Sequence, residues 1–261
     1  MAHRLDPEAP VGEEIRRVLL SSLENARSEL AEGPSEPAVH EARKAGKRAR
    51  AAAELAEPAL GDGVGRRLDH TIRDAARHLS EIRDGDVMRG WVRELGLSVA
   101  VHEVADREGS ARRAAEELGE AASLARSAPF DGVNADTVTE SLVASWDRAR
   151  SAYRDARKAP GPEALHEWRK RAKRLMYQAD LVSGRSPEVG PLVKLLDALQ
   201  EELGTHHDLC VLHGYSPDPE LVRRAEDIVP HVLACGAWLF RARGKSLGHW
   251  LASRPADAGD R

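Results

Sequence analysis

The chain has 261 residues with a formal net charge of -4; 41% are apolar, 31% charged and 4% aromatic. These are the proportions of a globular protein with one large core or two small ones built mostly from Ala, Leu and Val, and they argue against a chain that is disordered or fibrous as a whole. The longest apolar run, Val232 to Phe240, is about half of the ~20 residues that cross a bilayer, so no membrane partner is expected.

The N-terminal MAHRLDPEAPVGEE carries charge and prolines where a secretory signal needs an apolar stretch, which points to the cytoplasm. Cys210 and Cys235 are too few for a disulfide framework and lack CxxC spacing. They read as two buried thiols in a reducing compartment, with no redox motif and no zinc knuckle.

Taken in order, the chain shows almost no strand signal: alternation is scarce, β-branched runs are few, and Ala, Leu, Arg and Glu dominate. The expected fold is all-α. Breakers separate helical stretches at GPSEP (33–37), EPALGDG (57–63), APFDGVNAD (128–136), APGPE (159–163), SGRSPEVGP (183–191) and SPDPE (216–220). Ile15, Leu19, Leu23 and Leu30 share one helical face in the first stretch, and Val138, Leu142, Trp146, Ala149 and Tyr153 share one further on.

The chain also repeats itself. VHEARKAGKR at 39–48 recurs as LHEWRKRAKR at 165–174, an offset of 126 residues, and LSEIRDGDV (79–87) lines up with LGTHHDLCV (203–211) at a slightly different offset. Each half, 1–130 and 131–261, therefore reads as a helix, a basic helix, a long helix with an Asp near its C-terminal part, and a final helix. Burying one apolar stripe per helix gives two four-helix bundles joined near residue 130, related by an internal duplication.

The repeated basic helix carries the chemistry. At about 100° per residue, His40, Arg43, Lys44 and Lys47 share an arc of roughly 100°, with Arg48 and Arg50 at its edges. Val39, Ala42, Ala49, Ala53 and Ala56 lie opposite. In the second copy His166, Arg169, Lys170 and Lys173 share the corresponding arc, Arg174 sits at its rim, and Trp168, Ala172 and Leu175 form the apolar side. Like charges at this spacing repel by a few tenths of a kcal/mol per pair, and Glu41 and Glu167 are placed off the face, so an outside acid or an anionic ligand is expected to compensate. Arg offers a planar fork for phosphate oxygens, Lys a mobile point charge, and His a donor that charges near pH 6.5 at its reference pKa. One such face is ordinarily a solvated surface; the same register built twice favours a function.

The series His-x-x-Arg-x-x-x-[Lys/Arg]-Arg, Arg-Asp-x-Asp-Val, His-x-x-Arg-Lys-x-x-Lys-Arg-x-x-Tyr and Leu-Gly-x-x-His-Asp-x-x-Val resembles the CHAD family, the conserved histidine α-helical domain, from about residue 10 to about residue 252. The resemblance implies two four-helix bundles about a pseudo-twofold axis, with a basic surface or channel that binds inorganic polyphosphate or a related polyanion, without catalysis, cofactor or metal. It also implies polyphosphate-associated protein partners and a place at polyphosphate granules. Matched position by position, the ligand set is His40, Arg43, Lys47, Arg48, Arg50 and Arg83 in the first half, with Lys44 added from its place on the face. In the second half it is His166, Arg169, Lys170, Lys173, Arg174, Tyr177 and His207. Asp84 and Asp208 are expected to orient basic neighbours. The sequence departs from the family pattern at Lys44, Gly46 and Met176, and Cys210 stands opposite Asp86 of the first half.

Two other functions fit parts of the sequence. His206, His207 and Asp208 resemble the His-Asp pair of metal-dependent phosphohydrolases, but His40 and His166 sit one turn from Arg and Lys, which repel a divalent cation. A nucleic-acid binder could use the same cationic faces, yet the low aromatic content disfavours base stacking on single strands. Walker-type glycine loops, GxSxG elbows and Rossmann fingerprints are absent from the sequence. Arg150, Ser151 and Arg154, and Arg241, Arg243 and Lys245, read mainly as solvent-exposed, and Trp146, Tyr153 and Trp238 as core. Binding should strengthen from pH 7.5 towards about 6 if His40 and His166 meet the ligand charged.

Overall fold

The computed structural model describes residues 3–61, 63–94, 96 and 104–243, so Lys245 lies outside the described residues. Every regular element among them is helical: α1 (Val11–Ala31), α2 (Glu36–Ala56), α3 (Val64–His78), α4 (Ser80–Glu94), α5 (Arg107–Ser127), α6 (Ala135–Lys158), α7 (Pro162–Val182), α8 (Gly190–Tyr215) and α9 (Pro219–Trp238). Short 3₁₀ turns at Glu57–Ala59, Phe130–Gly132 and Pro187–Val189, and a π-turn at Leu239–Arg243, join them.

The breaker segments act through specific caps. Ser35 of GPSEP accepts a hydrogen bond from the Ala38 N–H at 3.3 Å, with Pro37 in the first turn of α2. Asp218 of SPDPE accepts from the Glu220 N–H at 2.8 Å to start α9. Gly63 precedes α3 at φ 72°, where a side chain would be strained. One break carries no such sequence mark: the long helix expected in the first half is interrupted at Leu79, which separates α3 from α4. α4 itself ends at Glu94 with Gly96 just beyond at φ 63°, its N–H donating to the Arg93 carbonyl at 3.3 Å, and Asp106 caps α5. The corresponding α8 runs 26 residues unbroken.

The chain divides into two compact units. One takes in the described residues up to Ser141 together with Leu181–Ser186; the other takes Leu142–Asp180 and the described residues from Pro187 onward. The division thus falls inside α6 and again near the end of α7.

In the first unit α1 packs on α2 and α5, and α3 packs on the same two helices. Ile15, Leu19 and Leu23 of α1 and Val39, Ala49 and Ala53 of α2 are fully buried, the short alanines allowing close approach of the two helices. Gly12 marks a tighter approach: a Cβ there would stand 2.1 Å from the Phe130 carbonyl oxygen. The N-terminal segment is tied down as well. Leu5 is buried and its N–H donates to the Leu181 carbonyl at 3.0 Å, while Arg185 donates to the carbonyls of Asp6 at 2.6 Å and Ala9 at 2.7 Å.

The second unit has an aromatic core. Trp146 and Tyr153 of α6 meet Phe240 at ring distances of 5.0 and 5.3 Å, and Tyr153 meets Trp168 of α7 at 5.1 Å. Gly236 of α9 makes room for them, since a Cβ there would lie 2.6 Å from the Tyr153 ring. Trp238, expected in this core, is instead 52% exposed, because it closes α9 on the side away from Leu239 and Phe240. The cysteines are half-buried rather than fully buried. Burial, seconded by Glu163 beside Cys210 and Glu202 beside Cys235, pushes both thiols up.

Gly46 in the middle of α2 has no heavy atom within 4 Å of the place its Cβ would take. Gly46→Ala is therefore expected to raise stability by up to about 1 kcal/mol, the helix-propensity difference, read as a higher denaturation midpoint in urea.

Candidate functional site

In the first unit, α2 turns its apolar side to α1 and α3 and leaves the charged side turned away from them, towards α4. His40 is exposed, and Arg83 of α4 stands close enough to act electrostatically on its ring. Arg43 reaches across to the α3–α4 break, where Nη1 donates to the Ala76 carbonyl at 3.1 Å and to Ser80 Oγ at 2.9 Å. That contact satisfies a carbonyl released by the break at Leu79. Lys44 pairs with Glu41 at 3.6 Å. Lys47 and Arg48 are half-buried on the same side, and Nε of Arg48 is buried without a hydrogen-bond partner among the described residues.

In the second unit, α7 sets its apolar side, led by fully buried Trp168, against α6. His166 is stacked on His207 of α8, ring centroids 4.1 Å apart and planes 32° apart. The Arg169 guanidinium lies over Gly204 of α8: a Cβ at that glycine would stand 3.1 Å from its Nη2. Lys170 pairs with Glu167 at 2.6 Å. Lys173, Arg174 and Tyr177 follow along α7, all half-buried and each with interactions of its own.

The two sets of contacts correspond. His40 faces Arg83 as His166 faces His207; Arg43 reaches Ser80 as Arg169 covers Gly204; Glu41 holds Lys44 as Glu167 holds Lys170. Such cross-helix contacts require the same placement of α2 against α4 as of α7 against α8. The protein-family model for the CHAD domain matches residues 14–215. The chain belongs to the CHAD family. Its match ends with α8, short of the residue near 252 expected from the sequence motifs. A crystal structure of the CHAD domain from the plant Ricinus communis is similar over 98% of this chain and 96% of that chain, with a TM-score of 0.60 and 20% sequence identity, a likeness of fold. No curated protein matches the chain.

Not every residue of the expected CHAD ligand set stands in the open. Arg50 is drawn into an ion-pair network with Asp69 of α3 at 2.7 Å and Glu54 at 3.6 Å. Although burial opposes it, Arg50 and Arg73 together hold the Asp69 carboxyl below the usual range. Asp84, expected to orient a basic side chain, is exposed and makes no ion pair among the described residues. The acid with that role is Asp86, 4% exposed, which accepts from Arg89 and, at 2.8 Å, from Nη1 of Arg107; Arg107 Nη2 also donates to the Pro34 carbonyl at 2.8 Å. Asp86 thus joins α4, the start of α5 and the α1–α2 connection. The Arg-Asp-x-Asp-Val motif displayed it, but only the fold supplies Arg107. Asp208 is half-buried with interactions of its own. Of the lesser candidates, Ser151, Arg154 and Arg241 are exposed and Arg150 is half-buried.

Glu41 and Glu167 are a second correction: they do not lie off the basic face but neutralise part of it, Glu167 also holding Arg171 at 2.7 Å. Hydrogen bonding to Lys170 outweighs burial and lowers the Glu167 carboxyl. His40 and His166 both titrate below the ordinary histidine range. Burial is the first cause for each; Arg83 comes next at His40, and His207 next at His166. Without a ligand both imidazoles are therefore mostly neutral at pH 7, and their protonation strengthens anion binding only through proton uptake that accompanies the anion.

Since exposed ion pairs are worth only about 0–1 kcal/mol, Glu41→Gln together with Glu167→Gln should cost little stability. The double variant is expected to bind a polyanion severalfold more tightly by releasing Lys44 and Lys170. A binding titration alongside thermal unfolding checks both halves of that statement, and unchanged or weaker binding contradicts it.

Proposed function

We propose that the protein is a non-catalytic module that binds inorganic polyphosphate through the basic faces of α2 and α7. What supports this is the repeated constellation itself: in each unit a His-Arg-Lys face of one helix is joined by Arg83 from α4 or His207 from α8, at matching positions. The family membership agrees with it, and the internal duplication read from the sequence is the simplest origin of the two faces. Arg forks and mobile Lys ammonium groups match the closely spaced oxygens of a phosphate chain, and no substrate carbonyl or base edge needs to be read. Within the first unit Arg43, Lys47 and Arg83 would carry the attraction, with Lys44 held in reserve by Glu41. Within the second, Arg169, Lys173 and Arg174 do so, with Lys170 held by Glu167.

The hydrolase alternative finds little support. Among the described residues no three His, Cys, Asp or Glu side chains group as a metal site. His206 is 4% exposed and lies 3.8 Å from the Cys210 sulfur, while its neighbour His207 is stacked on His166. The described helices include none long and apolar enough to cross a membrane.

The test is equilibrium binding of long-chain polyphosphate over a salt series, with duplex DNA as competitor at equal phosphate concentration. Each phosphate contact should add to the slope of log affinity against log salt, by on the order of -0.7 to -0.9 if nucleic acid is a guide. A flat salt response, or displacement of polyphosphate by DNA, overturns the assignment.

A further inference from the structure

The two basic faces differ at one corresponding position, where α4 of the first unit supplies Arg83 and α8 of the second supplies His207. An arginine is charged at every pH a protein meets; an imidazole is charged only when it takes up a proton. We propose that the second unit is a proton-gated anion site, in which the stacked His166–His207 pair takes up a proton as a phosphate chain binds, while the first unit holds permanent charge in Arg83. This rests on the polyphosphate reading and adds its regulation.

The geometry makes the gate. With ring centroids 4.1 Å apart, two imidazolium ions would repel strongly, so the pair holds one proton at most, and burial with Arg169 and Lys170 opposes that first proton while the site is empty. Around it on α7 stand the cations Arg169 and Lys170 and the acids Glu163 and Glu167; from α8 come His207 itself, Asp208 and the Cys210 thiol. Glu167 is spent on Lys170 and Arg171, and Glu163 lies towards Cys210. Nδ1 of His166 is buried without a hydrogen-bond partner among the described residues. Burial first, then the second ring, then Lys170 and Arg169 keep His166 below its ordinary titration range. A phosphate chain lying along Arg169 and Lys173 brings negative charge to the pair and offsets that repulsion. Proton uptake and anion binding then favour each other, as linkage requires.

In the first unit the corresponding cation is always present. Burial first, and then Arg83 with a smaller part from Lys47, hold His40 below its ordinary range, and the permanent charge of Arg83 supplies attraction there without any proton uptake.

The experiment measures the affinity of the full chain for long-chain polyphosphate, whose internal phosphates stay ionised throughout, from pH 7.5 to 5.5 at constant ionic strength. Wild-type affinity is expected to rise by about fivefold per pH unit below pH 6.5, approaching the tenfold per unit of one proton taken up. His207→Arg should flatten that profile and bind at pH 7.5 as tightly as wild type does at pH 5.5. His207→Gln should lose the low-pH gain without gaining at high pH, and His40→Gln should keep the wild-type slope. A His207→Arg variant with the wild-type slope, or loss of the slope in His40→Gln, overturns the proposal.

A ligand-free measurement separates this from the polyphosphate reading. By NMR, the His166 ring in His207→Gln should titrate at a higher pH than in wild type, because no second ring competes for or opposes its proton. An unchanged titration defeats the gate even if polyphosphate binds. Absence of polyphosphate binding at every pH defeats the polyphosphate reading, and the phosphate gate with it.

Discussion

Lys47→Gln combined with Lys173→Gln is expected to weaken binding of long-chain polyphosphate by about a hundredfold at moderate salt. A hydrogen bond to a charged group is worth roughly 1.5–3 kcal/mol, so losing one such contact weakens each unit's face by up to about a hundredfold. The two lysines occupy corresponding positions one turn past Arg43 and Arg169, on the charged sides of α2 and α7. Both are half-buried, and each has interactions of its own. Glutamine keeps most of the stem and a donor while removing the charge, so the variant isolates charge from packing. The salt slope should become shallower by about one to two units alongside the affinity loss, because two phosphate contacts disappear. Unchanged affinity with an unchanged slope would remove these lysines from the contact surface. A fall in melting temperature as large as that of a core truncation would make them structural.

The apolar framework behind that surface was legible in the sequence because it is local. Ile15, Leu19 and Leu23 repeat at helical spacing, and the structure buries all three; the same holds for Val138, Leu142, Trp146, Ala149 and Tyr153 on α6. Ser35 and Asp218 announced helix starts because a capping side chain bonds to a backbone group two or three residues away. The break at Leu79 had no such announcement. It carries neither Gly nor Pro, and it is held by Arg43, a residue 37 positions before Ser80 in the chain. Likewise Arg50 looked available until Asp69 arrived from the next helix.

Glu41 shows a different failure. A helical wheel puts positions 41 and 44 about 60° apart and so separates them, but it treats side chains as radial points. Long Glu and Lys side chains one turn apart span that angle easily, and the 3.6 Å pair is the result. The His166–His207 stack was half-visible. Aligning the repeats sets 207 opposite 83, but the 4.1 Å ring contact depends on how α7 lies against α8.

Trp168→Ala is expected to lower stability by about 3–5 kcal/mol, the range for truncating a large buried aromatic. Trp168 is the largest fully buried side chain, and it fills the space between Tyr153 and Gly236, where the missing Cβ lets the rings close in. Removing the indole leaves a void that Tyr153 cannot fill alone, since its ring is also fixed against Phe240 and its hydroxyl donates to the Leu233 carbonyl at 3.4 Å. The affected helix is the one that carries His166, Arg169 and Lys173 on its other side. Two substitutions five residues apart on α7 should therefore separate two properties: Trp168→Ala lowers the denaturation midpoint, whereas Lys173→Gln lowers polyphosphate affinity and leaves the midpoint nearly unchanged. The indole Nε1–H is buried without a hydrogen-bond partner among the described residues, so Trp168→Phe, which keeps most of the ring area and discards that group, should cost far less than alanine. Denaturant titrations of the three variants check the order. A Phe variant as unstable as the Ala variant would show that the nitrogen, not the packed ring, is what unit two requires at this position.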